Sequence, residues 1–404
     1  MRLNTVARLT VAIACSAFVL TACGGSDKPG PSTPTALATQ AVSTRSAIHD
    51  INLSRSSNAA ANATSFTATF HADVQTDQQS VSEDGTMIFE APSNFDMKLS
   101  VGGAQTEVLL RLPDEYINIA GRGWYSVGAD IINRDAYQQY AKNHGPIDYS
   151  GTLNALTNYQ QLADEDIDGV GYLHYTGTYD LKTVLDKVPG NILQSGAADL
   201  TKAVFQGLKP GSMETWIDRD TELPRRAAID MAFSIAGKDL SMHMVLDYAD
   251  WNQHVTLPTA PVDAKSYSEL TGGLSPADLA YQLQFSTWLA KFVADAKEFG
   301  KLAEAPHDDA ARTSARNSAQ SLDDDVTAFE ALSATQRFQR SHDKFDEALA
   351  QLQIVFGEVA KELDSEGGGD TDKVDHAGGE FKTLFADASA LYKAESKPDV
   401  TPSH

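Results

Sequence analysis

Cysteine is almost absent: 404 residues contain two, Cys15 and Cys23. Cys15 lies inside an apolar run near the start, so a disulfide framework is excluded and the fold must be held by core burial. Basic charge is scarce as well, with 32 Lys and Arg against 55 Asp and Glu. A surface of that sign repels nucleic acid and anionic headgroups, so no nucleic-acid partner is expected. Apolar stretches long enough to span a bilayer, which takes about 20 residues, are missing too. The run from Leu9 to Leu20 is too short and is broken by Thr10 and Ser16.

Motifs of chemistry are equally missing. There is no Gly-x-Ser-x-Gly elbow, phosphate loop or His-Glu-x-x-His. The ten histidines are scattered without ligand spacing. "GRGW" and "GVGY" are turns, too short to cradle phosphate. No catalytic residue, metal ligand or cofactor is assigned, and the expectation is a protein that is not an enzyme.

What is present begins with Arg2 and Arg8, the short apolar run, and then Leu20-Thr21-Ala22-Cys23. A basic start, an apolar middle and small residues at the end compose a secretory signal. Its ending resembles the bacterial lipobox, which implies cleavage before Cys23 and acylation of that residue; the alternative is an ordinary signal cut elsewhere. Residues 1–22 are thus expected to be removed. Residues 23–40 read as lipidated Cys23 followed by a Gly-, Ser-, Thr- and Pro-rich tether. Without Arg2 and Arg8, 30 basic side chains face 55 acidic ones, a formal charge of −25. Membrane contact is therefore expected through acyl chains on Cys23 in the bacterial cell envelope.

About 365 residues follow the tether, a length that suggests two domains. Residues 41–265 open with a polar, Ala-rich stretch expected to give one or two helical turns, then turn to period two. Phe66, Ala68, Phe70, Ala72 and Val74 alternate with polar residues, as a strand with one buried face requires. Met87 and Phe89, then Phe95, Met97, Leu99 and Val101, then Val108, Leu110 and Leu112 repeat the pattern. "PDE" and Gly121 to Gly123 mark turns. Between Asp135 and Asp164 the spacing of Tyr137, Tyr140, Leu153, Leu156, Tyr159 and Leu162 predicts two helices. A strand over Gly169–Leu181 and a helical insert over about 182–207 follow. Ala227, Ile229, Met231, Phe233 and Ile235 then share a face, as do Leu240, Met242, Met244, Leu246 and Tyr248. One long antiparallel sheet, apolar on one side and rich in methionine, needs a cover. Either a partial helical lid leaves an apolar pocket, or the methionines fill gaps in a plain α+β core.

The order of these elements is similar to the LppX/LprG-type bacterial lipoproteins, and more distantly to the LolA and RseB group. The echoes are "GTMIFEAPSNFDMKL", Trp216-Ile217-Asp218 with Leu223-Pro224-Arg225, and Tyr248 to Trp251 with Val255 and Pro258, within about 41–261. The resemblance implies an α+β fold: an antiparallel half-barrel sheet with a helical lid and an acyl-chain cavity. No individual ligand residue transfers with the resemblance; from the apolar sheet face itself, a lipid or other amphiphile is expected to lie against Phe70, Phe89, Met97, Leu110, Ile229, Met231, Phe233, Met242, Met244 and Leu246. Leu223-Pro224 reads as a hairpin turn, and the side on which Trp216 falls stays open.

Residues 275–396 switch to helical spacing and predict an all-α, antiparallel four-helix bundle. Ser275, Pro276 and Asp278 form a capping-box start, and Ser333 with Gln336 predicts a second. His342 is expected to make a core polar contact, and Asp323 to Asp325 a solvated face. Phe385 and Tyr392, beside the main seam, are candidates for docking an envelope protein, the alternative function. Residues 397–404 read as a loose tail.

Overall fold

The computed structural model describes residues 53–60, 62–76, 80–91, 94–101, 104–111, 114–136, 139, 156–180, 193–205, 207–235, 238–303, 309–364 and 369–397. Cys23, the signal and the tether lie outside them, as do the expected helical positions Tyr137, Tyr140 and Leu153. The chain divides into two compact units, the first reaching Leu270 apart from 235–237, the second made of 235–237 and the chain from Thr271.

The first unit is a large open sheet. After a helical segment over 53–60 come β1 (Ser65–Thr76), β2 (Ser80–Glu90), β3 (Asn94–Val101), β4 (Ala104–Arg111), β5 (Asp114–Ile119), β6 (Gly123–Ser126) and a single turn, α1 (Gly128–Ile131). β7 (Leu156–Gln161), β8 (Glu165–Ile167) and β9 (Val170–Tyr179) precede α2 (Ser195–Phe205). β10 (Lys209–Ile217), β11 (Pro224–Ile235), β12 (Lys238–Ala249), β13 (Lys265–Ser266) and α3 (Tyr267–Thr271) complete it. The strand order is β13-β6-β5-β4-β3-β2-β1-β12-β11-β10-β9-β7, with β8 on β9. Its pairings are antiparallel except for β13 on β6, which is parallel.

Part of the helical expectation over 135–164 is overturned. Leu156 and Tyr159 belong to β7, which pairs with β9. The ladder slips between Thr157 and Gln160, where Asn158 takes φ 51°. The bulge puts an extra residue into the strand and erases its alternation. Pro224 also departs from expectation: it opens β11, opposite Ile217. The turn before it is built on Asp218, whose Oδ1 accepts from the amides of Asp220 (3.0 Å) and Thr221 (2.7 Å). These bonds hold the Asp218 carboxyl below the ordinary range, although its burial acts the other way.

The second unit carries α4 (Pro276–Ala303), α5 (Asp309–Glu330), α6 (Gln339–Asp364) and α7 (Thr371–Glu395). All four contribute to one core that includes Phe285, Trp288, Leu322, Phe329, Phe345, Phe356 and Ala388. At the start of α4, the Ser275 amide donates to Asp278 Oδ2 (2.9 Å) and the Asp278 amide to Ser275 Oγ (3.1 Å), the reciprocal cap expected. The second predicted cap does not form. α6 starts only at Gln339, and Thr335 donates its hydroxyl to Asp278 instead.

Two further corrections concern side chains. Asp323 and Asp324 are exposed, but Asp325 is 1% exposed, because a helix turns one residue of any such run inward. Lys291 Nζ meets its carboxylate, and Trp288 Nε1 donates to its carbonyl at 2.8 Å. Phe385 and Tyr392 pack into the core rather than forming a free stripe: Tyr392 lies 4.4 Å from Phe285 and Phe385 5.2 Å from Phe345, centroid to centroid. His342 makes a polar contact on the seam, with Tyr281 rather than the Asp346 expected one turn on: Tyr281 Oη lies 3.1 Å from Nδ1, and Phe329 stacks on the ring at 4.5 Å.

Candidate functional site

Side chains on paired residues leave a sheet on the same side, so register assembles the apolar face row by row. One row runs Leu110, Phe95, Phe89, Phe66. The next runs Ile117, Val108, Met97, Met87, Ala68, Tyr248. A third runs Leu99, Gly85, Phe70, Leu246, and a fourth Glu83, Ala72, Met244. The face continues onto β11, where Ile229 and Met231 join Met213, Tyr179, Leu156 and Met244 in one cluster, with Met242, Leu246 and Tyr248 packed on its border.

Glycine has a packing role at two places here. A methyl at Gly85 would overlap the Phe70 ring, and one at Gly177 would come within 2.9 Å of Leu156. At one end of the rows, aromatic rings fill the face: Phe66 stacks on Phe89 (5.0 Å), and Trp251 lies against Phe66 (4.8 Å) and Tyr248 (5.5 Å). Trp251 is fixed by donating Nε1 to the Pro224 carbonyl at 2.9 Å. Burial raises the Tyr248 phenol to about 12 and drives that of Tyr179 upward as well.

The ten residues named from the sequence separate by cover. Phe70, Phe89, Met97, Leu110, Ile229, Met231 and Met244 are buried, whereas Phe233, Met242 and Leu246 are half-buried. Sequence reasoning passed over Glu83 and Tyr179 on this face, although the alternation Val81, Glu83, Gly85, Met87, Phe89 places Glu83 there.

The opposite face is polar. His71 Nδ1 lies 2.7 Å from Asp84, His243 Nδ1 2.7 Å from Asp230, and Arg226 bonds both oxygens of Asp247 (2.7 and 3.1 Å). A depression of about 320 Å³ is lined by Thr69, Phe70, His71, Asp84, Gly85, Val245 and Asp247. Trp216 belongs to this side. It stacks on His174 at 4.3 Å, donates to Glu165 at 2.8 Å and packs with Ile167 and Tyr172. In the second unit, a hollow of about 190 Å³ lies among Phe292, Phe299, Leu352, Phe356 and Phe381. That is below the roughly 300–1,000 Å³ of small-molecule sites. Among the described residues no group of three or more His, Cys, Asp and Glu could hold a metal, and no helix is long and apolar enough to cross a membrane.

No family model and no curated protein matches the chain. Solved structures do. The chain is similar to the lipoprotein LppX of Mycobacterium tuberculosis, with 18% identity over 52% of this chain and 97% of that one, at a TM-score of 0.33. LprF from Mycobacterium bovis gives 17% over 53% and 97%, at 0.33. A LolA superfamily protein from Nitrosomonas europaea gives 13% over 52% and 94%, at 0.24. Each of these matches spans about half of this chain and nearly all of the other.

Proposed function

We propose that the first unit binds the hydrocarbon of a lipid or other amphiphile along the apolar face, and that the protein is a non-enzymatic carrier or receptor. One observation carries this reading. Phe233, Met242 and Leu246, with Val74 and Tyr248, remain half-buried on a face whose other apolar residues include the buried Phe66, Phe70, Phe89, Met97 and Ile229. Guest hydrocarbon would complete that burial at about 0.8 kcal/mol per methylene. Cys23, by its sequence context, would anchor the chain in the envelope through acyl groups, and the tether would let the face sample the membrane surface.

The alternative, an envelope scaffold that docks a partner through the helical unit, loses the feature that suggested it, since Phe385 and Tyr392 pack inward. The test uses the chain from Gly24 to His404, which retains every described residue. Native mass spectrometry of protein purified from cells should show acyl adducts, and a fluorescent fatty-acyl probe should bind. Leu246→Asp should weaken probe binding by about tenfold or more, the cost of a charge in an apolar site. Val293→Asp, on an exposed position of α4, should leave it unchanged. Absence of both adduct and probe uptake would refute lipid binding.

A further inference from the structure

The helical unit is packed unevenly along its length. Near the start of α4 its seam is closed: Tyr281, Phe285, Phe338, Phe345 and Leu349 are fully buried. Toward the end of α4 the same seam stays open. There Phe299, Leu352, Val355 and Phe381 are only half-buried, and with the buried Phe292 and Phe356 they line the hollow of about 190 Å³. All four helices reach it, since Leu322 of α5 lines it too. The sequence makes the space. On its buried side α5 carries Ala315 and Ala319 before Leu322, Val326 and Phe329, and α4 carries Ala296 between Phe292 and Phe299. Methyl groups thus stand where the closed end has aromatic rings. The rings present pack on one another, Phe299 edge-on to Phe356 at 5.4 Å and Phe381 against Phe385 at 5.3 Å, and leave the volume beside them unfilled.

Unfilled space among apolar side chains costs a fold stability. A larger side chain at Ala296 would fill it, so packing alone does not call for alanine there. We infer that this hollow is a second binding site, for a small uncharged molecule built on a single benzene ring. The site lies wholly within the second unit and is independent of the lipid-binding reading above.

Size, polarity and shape select the guest. A dry apolar cavity of about 150 Å³ is enough to hold one benzene. The hollow therefore admits one ring with a small substituent and is too small for a ligand that needs roughly 300 Å³ or more. Every side chain that lines it is hydrocarbon. Water finds none of the polar partners that would hold it there, and an ionised guest would lose its hydration with nothing in exchange. Phenylalanine edges and faces attract another aromatic ring, a gain that a saturated chain does not share. A flexible chain also loses rotational freedom when it is folded into a compact space, whereas a ring has none to lose. The half-buried residues among the lining place the hollow at the surface, so a guest enters without unfolding the unit.

The test titrates the chain 24–404 with fluorobenzene, followed by fluorine NMR at pH 7, with toluene, benzoate and 1-octanol as competitors. Fluorobenzene should bind and toluene should displace it. Benzoate, a ring of similar size that is ionised, should compete about tenfold or more weakly than toluene, and 1-octanol, a flexible chain, about fivefold more weakly. In methyl-labelled protein, toluene should shift the methyl signals of Leu322, Leu352 and Val355 rather than those of the first unit. Ala296→Phe, which fills the hollow, should weaken fluorobenzene binding about tenfold or more, because close-packed side chains leave no volume for the ring. Ile354→Asn, on an exposed position of α6, should leave binding unchanged. Absence of fluorobenzene binding, or methyl shifts centred away from those three residues, would overturn the inference. Binding undiminished in a folded Ala296→Phe would overturn it as well, and if that variant does not fold, the methyl shifts of the parent protein decide. Benzoate equal to toluene would overturn the uncharged class, and 1-octanol equal to toluene would overturn the ring in favour of a hydrocarbon chain.

Discussion

Single residues set two opposing responses to pH. Asp96 is 2% exposed on the polar side of β3, and burial, followed by the neighbouring Glu107, lifts its carboxyl to about 6 against the pull of Lys98. The folded protein therefore holds this proton more tightly than the unfolded chain, where aspartate titrates near 4. The contribution is full below about pH 4 and is lost as pH rises through about 6, at most about 3 kcal/mol. Urea unfolding of the first unit should show this decline, and Asp96→Asn should flatten it. An equal slope in that variant would refute the assignment. His342 behaves in the reverse sense. Burial lowers its pKa from 6.5, against Asp346 and Asp343. The neutral ring is favoured in the fold, so stability of the second unit is full above about pH 6.5 and declines as pH falls through the lowered value. His342→Leu should remove that acid sensitivity, as read by the loss of near-ultraviolet dichroism between pH 7 and 5.

The same scale shows what a sequence hides. Glu83 and Gly85 occupy inward positions at the start of β2, so its alternation is visible only from Met87 onward. A one-dimensional pattern marks such residues as polar or small and says nothing of the face they join. Trp216 gave an undecided side because both of its neighbours, Thr215 and Ile217, are buried. Its partner His174 lies 42 positions earlier, which only strand pairing discloses.

At the scale of elements, regular strands and helices were legible and irregular ones were not. β1, β3, β11 and β12 follow period two for eight residues or more, and the sequence predicted each. β7 did not show, because Asn158 breaks its ladder after two pairs. Capping signals divide likewise. Ser275 and Asp278 close their reciprocal bonds, while Ser333 and Gln336 have the same spacing without a helix to start. Local motifs thus propose helix starts, and tertiary partners such as Asp278 for Thr335 decide among them. Ser275→Ala should cost the second unit about 1 kcal/mol, measured by chemical denaturation. Ser333→Ala should cost nothing measurable, and an equal loss in the two variants would contradict this distinction.

For the whole molecule, two compact units imply separable contributions. Phe329 is fully buried among Phe285, Trp288 and Phe345 in the helical core. Phe329→Ala should destabilise that unit by about 3–5 kcal/mol while acyl-probe binding by the first unit at 20 °C stays intact. Loss of probe binding in that variant would show that the helical unit takes part in the site. Of the candidate site, the greasy composition was legible in the sequence. The carboxyl within it was not, since only register joins Glu83 to Ala72 and Met244.

Among the described residues the sheet begins at β13, two residues long, and finishes at β7, whose ladder is interrupted at Asn158. A long flat border strand would template pairing with another copy, a hazard that rises when proteins are concentrated on a surface. Here one border is too brief and the other too kinked to recruit a stranger's backbone. Molecules crowded side by side can thus keep their sheets to themselves and stay dispersed instead of coalescing into fibres.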